Sequence, residues 1–369
     1  MLLIQIFKVC KVFHLKILII GANFTAPGGT ERVGCMIANG IYEAGYEVVI
    51  ASISYTNKPF FPMNENIKII SLFNSPKRFL YRAPNIIWKI RKILKQESID
   101  TIIVVESMLV LFTLPAILGL SIKHICWEHF NFNSDLGKSG RRVARQLAAR
   151  YCDTVVTLTQ KDKSYWLKGT KHKSQISAIP NPCPYPITKN VKKENTKIVL
   201  AAGRLTYQKG FDLLLESWRE VNKCMPEWKL KIVGDGNDRD KLNKIIKKNE
   251  LINSVELVGN TNDMSKYYME AEIFCLSSRF EGFGMVLIEA LAFGLPIVSF
   301  DCEVGPAEIL KDTGSILVTS DNIQELANSL MIMMKDENGR KEIAINSRKK
   351  AEHYQIENII PQWISIIEN

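Results

Sequence analysis

The stretch Lys16–Glu31 reads KILIIGANFTAPGGTE, the pattern of a buried strand followed by a glycine loop and the start of a helix. The apolar, β-branched run Lys16–Gly21 predicts the strand. Paired glycines, Gly28 and Gly29, would let a ligand approach backbone N–H groups at the positive end of the helix dipole. A plain turn with a glycine helix start explains the same residues equally well. No GxGxxG is present here, which argues against a dinucleotide fingerprint.

The same succession continues along the chain. Short apolar runs alternate with segments of helical periodicity, which is typical of parallel α/β architecture. The alternation stops at Pro180–Pro186, where four prolines in seven residues predict an interdomain linker. A second strand, loop and helix then begin at Lys197 with KIVLAAGRLTYQKG. The expected strands are Lys16–Gly21, Glu47–Ser52, Thr101–Val105 and Val155–Leu158, then Lys197–Ala202, Lys229–Val233, Val255–Val258, Ile273–Leu276 and Pro296–Ser299; the expected helices are 30–44, 77–96, 139–150, 160–168, 208–222, 238–250, 263–269 and 285–293.

The fold class is therefore predicted as α/β, with two Rossmann-like domains that face each other across a cleft. We expect domain boundaries at 1–186 and 187–353, with the helical end at about 354–369 crossing back onto the first domain. The length of 369 residues fits two ordinary cores. With 46% hydrophobic and 23% charged residues, the composition excludes disordered, collagen-like and low-complexity classes.

Charge is unevenly distributed along the chain. Residues 1–186 contain 24 basic and 11 acidic side chains, net +13, whereas residues 187–369 contain 24 and 27, net −3. The first half could therefore be drawn to a phosphate-rich partner or an anionic membrane. Three basic segments with apolar neighbours would make that contact: Lys77–Arg82, Trp88–Lys92 and Arg141–Arg145. An ordinary solvated basic face is the alternative.

The eight cysteines include no CxxC pair, and no histidine stands at zinc-finger spacing. We expect free thiols in a reducing cytoplasm and no structural metal. Basic side chains interrupt the apolar stretch Met1–Ala22, so neither a signal peptide nor a spanning helix is expected. The segment before Leu15 is either a short amphipathic membrane contact or an extension of no consequence.

Two basic residues follow the first strand of the second half. Arg204 and Lys209 stand five residues apart around a predicted helix N-terminus. Three sources of positive potential would meet there, and together they would hold a diphosphate. Two solvated basic residues on a loop are the alternative.

Residues 279–296 read RFEGFGMVLIEALAFGLP and contain two glutamates, Glu281 and Glu289. On one helix they would lie about 12 Å apart, at about 1.5 Å per residue, which is unsuited to a shared acid/base site. They suit the two ends of an elongated ligand, with Glu281 at a sugar and Glu289 at ribose hydroxyls. A helix cap with a surface glutamate is the alternative. The expected nucleotide-binding residues are Gly28, Gly29, Arg204, Lys209, Gly282, Phe283, Gly284, Met285 and Glu289.

Taken with Arg204 and Lys209, this E-x7-E segment resembles glycosyltransferase family 4, the retaining enzymes of GT-B fold. The resemblance spans about 15–350 and includes the glycine loop, the proline linker, GR-x4-K, the Val233–Gly236 turn, EGFG-x4-E and Gly-x-Pro-Ile-Val. The residues of two segments, Cys126–Phe132 and Phe300–Pro306, look most like those of bacterial enzymes that build amylovoran, capsule or O-antigen repeat units.

The resemblance implies a role for each matching residue. His129, just after the strand-like Ile122–Trp127, would reach the sugar from the first, acceptor-binding domain. Arg204 and Lys209 would clamp the diphosphate, Glu281 would be the sugar-side carboxylate and Glu289 the ribose ligand. The catalytic set is then His129, Glu281, Arg204 and Lys209.

The implied activity is retaining transfer of a hexosyl unit from a nucleoside-diphosphate sugar, a UDP-sugar, to a glycan acceptor, lipid-linked, in bacterial surface polysaccharide biosynthesis. The enzyme would be cytoplasmic and peripheral on the inner face of the cytoplasmic membrane. No cofactor or metal is expected, because cationic side chains neutralise the leaving diphosphate. Asp238-Arg239-Asp240 could be mistaken for a metal-binding D-x-D, but its place at a helix start predicts a cap.

Two other classes of function stay open. A GT-B epimerase or hydrolase would share the nucleotide site but would need acid/base residues beyond His129, and none is identifiable. A membrane- or nucleic-acid-binding protein could use the basic first half. No nucleic-acid motif is present and the aromatic residues are not interleaved with basic ones, so no nucleic-acid partner is expected.

Overall fold

A computed structural model describes residues 15–54, 58–73, 83–135, 137, 139–188 and 195–369. The chain divides into two compact units. Unit 1 comprises the described residues up to Thr157, together with Lys163–Ile179 and Ile360–Asn369. Unit 2 comprises Leu158–Asp162 and Pro180–Ile359.

Unit 1 is built on a seven-stranded parallel sheet of order β3-β2-β1-β4-β5-β6-β7. The central strand β1 places Ile19 opposite Ile50 on one side and Ile103 on the other. Because helices cover both faces, the residues of the inner strands are mostly buried, which explains their continuous apolar runs, whereas the two edge strands are only partly buried. The strands are β1 (Lys16–Gly21), β2 (Glu47–Ser52), β3 (Lys68–Ser71), β4 (Thr101–Val105), β5 (Lys123–Trp127), β6 (Thr154–Thr157) and β7 (Gln175–Ala178). The helices in this part of the chain are α1 (Gly29–Glu43), α2 (Ala83–Gln96), α3 (Val110–Ile117), α4 (Gly140–Tyr151) and α5 (Gln160–Gly169).

Unit 2 contains a six-stranded parallel sheet of order β10-β9-β8-β11-β12-β13. Its core packs Trp218 and Trp228 with the aliphatic residues of the strands. The strands are β8 (Ile198–Ala202), β9 (Lys229–Val233), β10 (Val255–Gly259), β11 (Ile273–Leu276), β12 (Ile297–Phe300) and β13 (Ile316–Val318). The helices are α6 (Phe211–Cys224), α7 (Arg239–Lys248), α8 (Ser265–Glu270), α9 (Met285–Ala292), α10 (Pro306–Ile309), α11 (Ile323–Lys335), α12 (Glu337–Ala351) and α13 (Ile356–Glu368), of which α13 continues into unit 1.

The strand order reverses at one point in each sheet, between β1 and β4 in unit 1 and between β8 and β11 in unit 2. Ligands of open α/β sheets bind at the carboxyl ends of the strands beside such a point. A ligand site is therefore expected at the loops that follow β1, β8 and β11, which contain the glycine-rich and charged motifs of the sequence.

The expected alternation of strands and helices is confirmed, and five strands have the expected bounds: β1, β2, β4, β9 and β11. The short strands β3, β7 and β13 and the helix α3, which contains Pro115, were not expected. The helix expected at 208–222 begins only at Phe211. Gly210 has a φ of +62°, and a Cβ on it would collide with the carbonyl oxygen of Ser277, so the chain turns there before α6 begins.

The expectation that Arg141–Arg145 forms a basic surface is wrong at its two ends. Arg141 and Arg145 are each 1% exposed. Arg141 pairs with Glu106 at 2.7 Å and Arg145 with Glu128 at 3.2 Å, because buried guanidinium groups require carboxylate partners. Lys77–Arg82 and the segment before Leu15 lie outside the described residues.

Several smaller expectations also have an outcome. Cys35, Cys126, Cys152, Cys183, Cys224, Cys275 and Cys302 are free thiols, and all but Cys224 are buried. Asp238 does occupy the N-cap of α7, but its side chain makes no capping hydrogen bond. Over the described residues, no helix is long and apolar enough to cross a membrane.

Candidate active site

The centre of the candidate site in unit 2 is an ion pair between Lys209 and Glu281. Lys209 follows β8 and Glu281 follows β11, the two strands that flank the reversal point. The Lys209 Nζ lies 2.6 Å from Glu281 Oε1, and the Ser278 hydroxyl donates to the same oxygen at 2.6 Å. The two charged side chains are 17% and 7% exposed. The tertiary structure thus brings together two residues that the sequence places 72 positions apart.

A second set of contacts ties the two loops that carry this pair. Arg279 donates to both oxygens of Asp212, at 2.9 and 3.1 Å, and its guanidinium lies 4.1 Å from the centre of the Tyr207 ring. The Arg279 backbone N–H donates to the Gln208 carbonyl at 2.8 Å, and the Gln208 amide donates to the Phe280 carbonyl at 3.0 Å. These bonds fix the relative positions of Lys209 and Glu281. Sequence reasoning missed Ser278, Arg279 and Asp212, whose importance depends on the pairing of distant loops.

Arg204 is exposed, unlike Lys209. Its guanidinium makes no hydrogen bond or ion pair with any residue that the structure describes. A guanidinium left in this state can form a bidentate bond to a phosphate without first breaking an internal contact.

The EGFG loop of Glu281–Gly284 ends at the N-terminus of α9. Gly284 is the N-cap, so Met285 begins the helix as expected, and Phe283 is buried. The first backbone N–H groups of such a helix have no acceptor within it. Gly305 supports this loop: its φ is +108°, and a Cβ on it would collide with the Phe283 carbonyl oxygen. The two loops therefore pack backbone against backbone.

Glu289 lies inside α9 and is 7% exposed. A carboxylate buried there without a partner would cost several kcal/mol. The partner is Tyr268, whose hydroxyl donates to Glu289 Oε2 at 2.8 Å. Burial, together with the charge of Glu289, raises the pKa of Tyr268, which therefore stays a donor. No motif pointed to Tyr268, which comes from the separate helix α8.

His129 belongs to unit 1 and follows β5, after Glu128. It is 8% exposed, and burial lowers its pKa to about 3, so the imidazole is neutral at physiological pH. Its ring lies 4.4 Å from the ring of Trp127, and its Nε2 has no hydrogen-bond partner among the described residues. The placement at the carboxyl end of a strand agrees with the expectation.

The loop that carries His129 is fixed by Glu128. The Glu128 carboxylate accepts the backbone N–H groups of His129 and Phe130 at 3.0 and 3.1 Å, the Ser107 hydroxyl at 2.5 Å and the guanidinium of Arg145. Arg145, which the sequence suggested for a membrane surface, therefore has a structural role in this buried network.

The glycine pair of unit 1 occupies the start of α1. Gly28 is the N-cap and Gly29 the first helical residue, as the pattern predicts. The helix start is the only feature of the described residues there that favours a ligand, so a ligand role for these glycines stays a prediction. Among the described residues, no three His, Cys, Asp or Glu side chains are grouped closely enough to hold a metal ion.

Comparison with known proteins identifies the family. Residues 27–184 match the family model Glycosyltransferase Family 4, and residues 187–350 match Glycosyl transferases group 1. An uncharacterized glycosyltransferase of Haemophilus influenzae is 38% identical over 348 residues, which cover 94% of this chain and 98% of that protein. The chain belongs to the family 4 glycosyltransferases.

Two further relatives of this glycosyltransferase have more specific names. The amylovoran biosynthesis glycosyltransferase AmsD of Erwinia amylovora is 29% identical over 95% of this chain and 99% of its own. A Campylobacter jejuni α-1,4-N-acetyl-D-galactosaminyltransferase, named for an undecaprenol-diphosphate-linked glycan, is 28% identical over 92% and 95%. The resemblance to amylovoran-type enzymes seen in the sequence is thereby confirmed.

The fold of the glycosyltransferase is also found among solved structures. The crystal structure of Anabaena HepE in complex with UDP and glucose superimposes with a TM-score of 0.80 at 20% identity, covering 96% of this chain and 100% of that one. With two Rossmann-like parallel sheets, the predicted GT-B fold is confirmed.

Proposed function

We propose that this glycosyltransferase moves a hexosyl unit from a UDP-sugar, with retention of configuration, to a hydroxyl of a lipid-linked glycan in bacterial surface polysaccharide biosynthesis. The observation that carries the proposal is the Lys209–Glu281 pair beside the exposed Arg204, at the strand reversal of unit 2. The amylovoran and undecaprenol-linked relatives support the pathway and the acceptor class. The UDP bound in the similar fold of HepE supports the donor.

In this proposal, fixed positive charge assists departure of the diphosphate. Arg204 and Lys209 bind its oxygens, and backbone N–H groups of Gly282–Met285 add hydrogen bonds at the start of α9. Glu281 holds hydroxyls of the transferred sugar while its other contacts, to Lys209 and Ser278, fix its position. Glu289 accepts hydrogen bonds from the ribose. Since these groups supply the charge stabilisation, we propose that the reaction needs no metal or other cofactor.

His129 contacts the sugar as a neutral imidazole. A neutral ring can accept a hydrogen bond from a hydroxyl at one nitrogen and donate one from the other, so it orients the sugar without adding a charge.

The configuration at the sugar C1 is retained if the acceptor hydroxyl attacks the face that the diphosphate leaves. In that step the C1–O bond to the diphosphate breaks, the new C1–O bond forms, and a phosphate oxygen takes the acceptor's proton.

The reaction class is tested by a screen of nucleotide sugars with crude lipid-linked acceptors, in which nucleotide release and the anomer of the product are measured. We expect UDP release that depends on the acceptor and an α-linked product from an α-linked donor. Release of UDP without acceptor would favour a hydrolase. Interconversion of UDP-sugars without release would favour an epimerase. Arg204→Ala, which should lower turnover at least about tenfold, serves as the low-activity control.

We also propose that the enzyme is peripheral on the inner face of the cytoplasmic membrane, through the outer face of α2. Trp88 is 59% exposed there, and the Lys92 ammonium lies 5.4 Å from the centre of its ring. An exposed Trp beside Lys is suited to the interface of an anionic bilayer. Arg91 is less available, since it donates to the carbonyls of Ala116 and Leu118 at 2.8 and 2.7 Å.

Co-sedimentation with anionic vesicles tests this surface. Trp88→Ser with Lys92→Ser should weaken binding, and salt should weaken it further, while a soluble acceptor analogue is still glycosylated. The earlier candidates Lys77, Arg78 and Arg82 form a second variant, and Arg91→Ser a third. Equal binding of the wild-type enzyme to neutral vesicles, or unchanged sedimentation of all variants, contradicts the proposal.

A further inference from the structure

Two successive aromatic ring contacts connect the C-terminal helix to His129 within unit 1. The ring centres of His129 and Trp127 are 4.4 Å apart, and those of Trp127 and Trp363 are 4.8 Å apart with the planes at 69°. Trp363 lies on α13, in the part of that helix that belongs to unit 1. Trp127 and Trp363 are 1% and 0% exposed.

The imidazole of His129 contacts the Trp127 ring, and its Nε2 makes no hydrogen bond within the described part of the chain. The indole N–H groups of Trp127 and Trp363 are also buried without a partner among the described residues. A histidine oriented by a carboxylate or carbonyl at its ring would keep its direction when its neighbours changed. The ring of His129 instead depends on the position of Trp127.

We propose that Trp363 is a positioning residue for His129: it holds the Trp127 ring against the imidazole. This inference rests on the proposed contact of His129 with the transferred sugar. Shortening Trp363 would leave a cavity beside Trp127, and partial relaxation of the surrounding side chains into that cavity would displace the Trp127 ring. Small displacements of a group that contacts substrate cost activity steeply.

The rest of α13 has its own attachments, which makes a matched control available. Tyr46 donates to Glu368 at 2.7 Å, and Lys123 donates to the Ile367 carbonyl at 3.4 Å. Ile367 is 3% exposed, on the same helix and in the same unit as Trp363, and it takes no part in the aromatic ring contacts. Ile367→Ala therefore perturbs the docking of α13 without removing a ring that supports Trp127.

The test is a double-mutant cycle in the full-length enzyme. Trp363→Leu should lower kcat about tenfold while the donor KM stays within about twofold, and Trp363→Phe, which keeps a ring, should stay within about threefold of wild type. In a His129→Ala background, Trp363→Leu should change kcat by less than about twofold, because the group through which it acts is gone. Ile367→Ala should leave kcat near wild type. If the Leu variant does not fold, Trp363→Met, which has a similar volume and a more adaptable side chain, takes its place.

NMR of the ¹³C-labelled imidazoles gives a readout that does not depend on turnover. With five histidines in the chain, His129→Ala assigns the His129 signal. Trp363→Leu should shift that signal by changing the Trp127 ring current, and Ile367→Ala should not. An unmoved signal, or equal losses of kcat in both backgrounds, overturns the role of Trp363. Wild-type kcat in His129→Ala instead overturns the proposed contact of His129 with the sugar.

Discussion

Replacing Lys209 should affect stability and turnover together, whereas replacing Arg204 should affect turnover alone. Lys209→Met removes the charge and keeps the aliphatic stem. At 2.6 Å, the attraction between Lys209 and Glu281 is about 6 kcal/mol for an effective dielectric constant of about 20, before desolvation is subtracted. Breaking a buried pair costs about 3–5 kcal/mol, because one charge is left without its partner.

The structure places the expected cost at the lower end of that range. Lys209 is 17% exposed, and the Ser278 hydroxyl still donates to Glu281 after the lysine is gone. About 3 kcal/mol in a unit of about 185 residues corresponds to a fall in Tm of about 6–12 °C. Arg204→Ala removes an exposed side chain without a described partner, so its Tm should change by less than about 2 °C.

Calorimetry of the nucleotide-free enzyme measures this difference, and nucleotide release measures turnover. Each variant should lower turnover at least about tenfold, since each removes charge stabilisation of the leaving diphosphate. Lys209→Met with Glu281→Gln should recover most of the lost Tm but none of the turnover. Equal melting of Lys209→Met and Arg204→Ala would refute the stabilising pair, and near-wild-type turnover in both would refute the clamp.

Three further outcomes are expected. EDTA should leave turnover largely in place because Arg204 and Lys209 supply the positive charge; a collapse restored by Mg²⁺ or Mn²⁺ would overturn the metal-independent mechanism. Burial lowers the pKa of His129 to about 3 against an ordinary value near 6.5, so the unfolded chain binds the extra proton first as pH falls. The contribution of His129 to stability is present above about pH 6.5 and should fall by about 2 kcal/mol at pH 5, so urea titration should find a smaller acid loss of stability in His129→Gln. Gly305→Ala should weaken UDP binding at least about tenfold, measured by calorimetry, because its Cβ would displace Phe283. The control is Gly45→Ala, at a φ of +99° with open space around it, which should leave UDP binding unchanged.

Much of the fold was predictable because its signals are local. The runs that became β4 and β11, TIIVV and IFCL, are apolar over almost their whole length, which happens when both faces of a parallel sheet are covered. The short edge elements were not predictable: β3 begins with an exposed lysine, Lys68, and is only partly buried, so it lacks that signal. The late start of α6 depends on Gly210, whose left-handed conformation and close approach to the Ser277 carbonyl only glycine permits.

The candidate site was predictable in part for the same reason. Motif spacing in the sequence is enough to single out four site residues: Glu281, Glu289, Arg204 and Lys209. Their partners Ser278, Tyr268 and Asp212 are ordinary residue types at no recognisable spacing, so only contact reveals them. Net charge misled in one place, because it counts Arg141 and Arg145 like any surface arginine although each is buried against a carboxylate.

The sequence by itself determined the succession of strands and helices, the family, and which side chains offer charge to a diphosphate, since periodicity and motif spacing are properties of neighbouring residues. Only the tertiary structure decided that Lys209 bonds to Glu281 and that Arg204 does not. It also decided that the Trp127 ring contacts both His129 and Trp363. Those facts depend on burial and on the approach of residues remote in the chain. Burial in turn sets whether a charge needs a partner and whether an imidazole is neutral, and neither can be read from residue order.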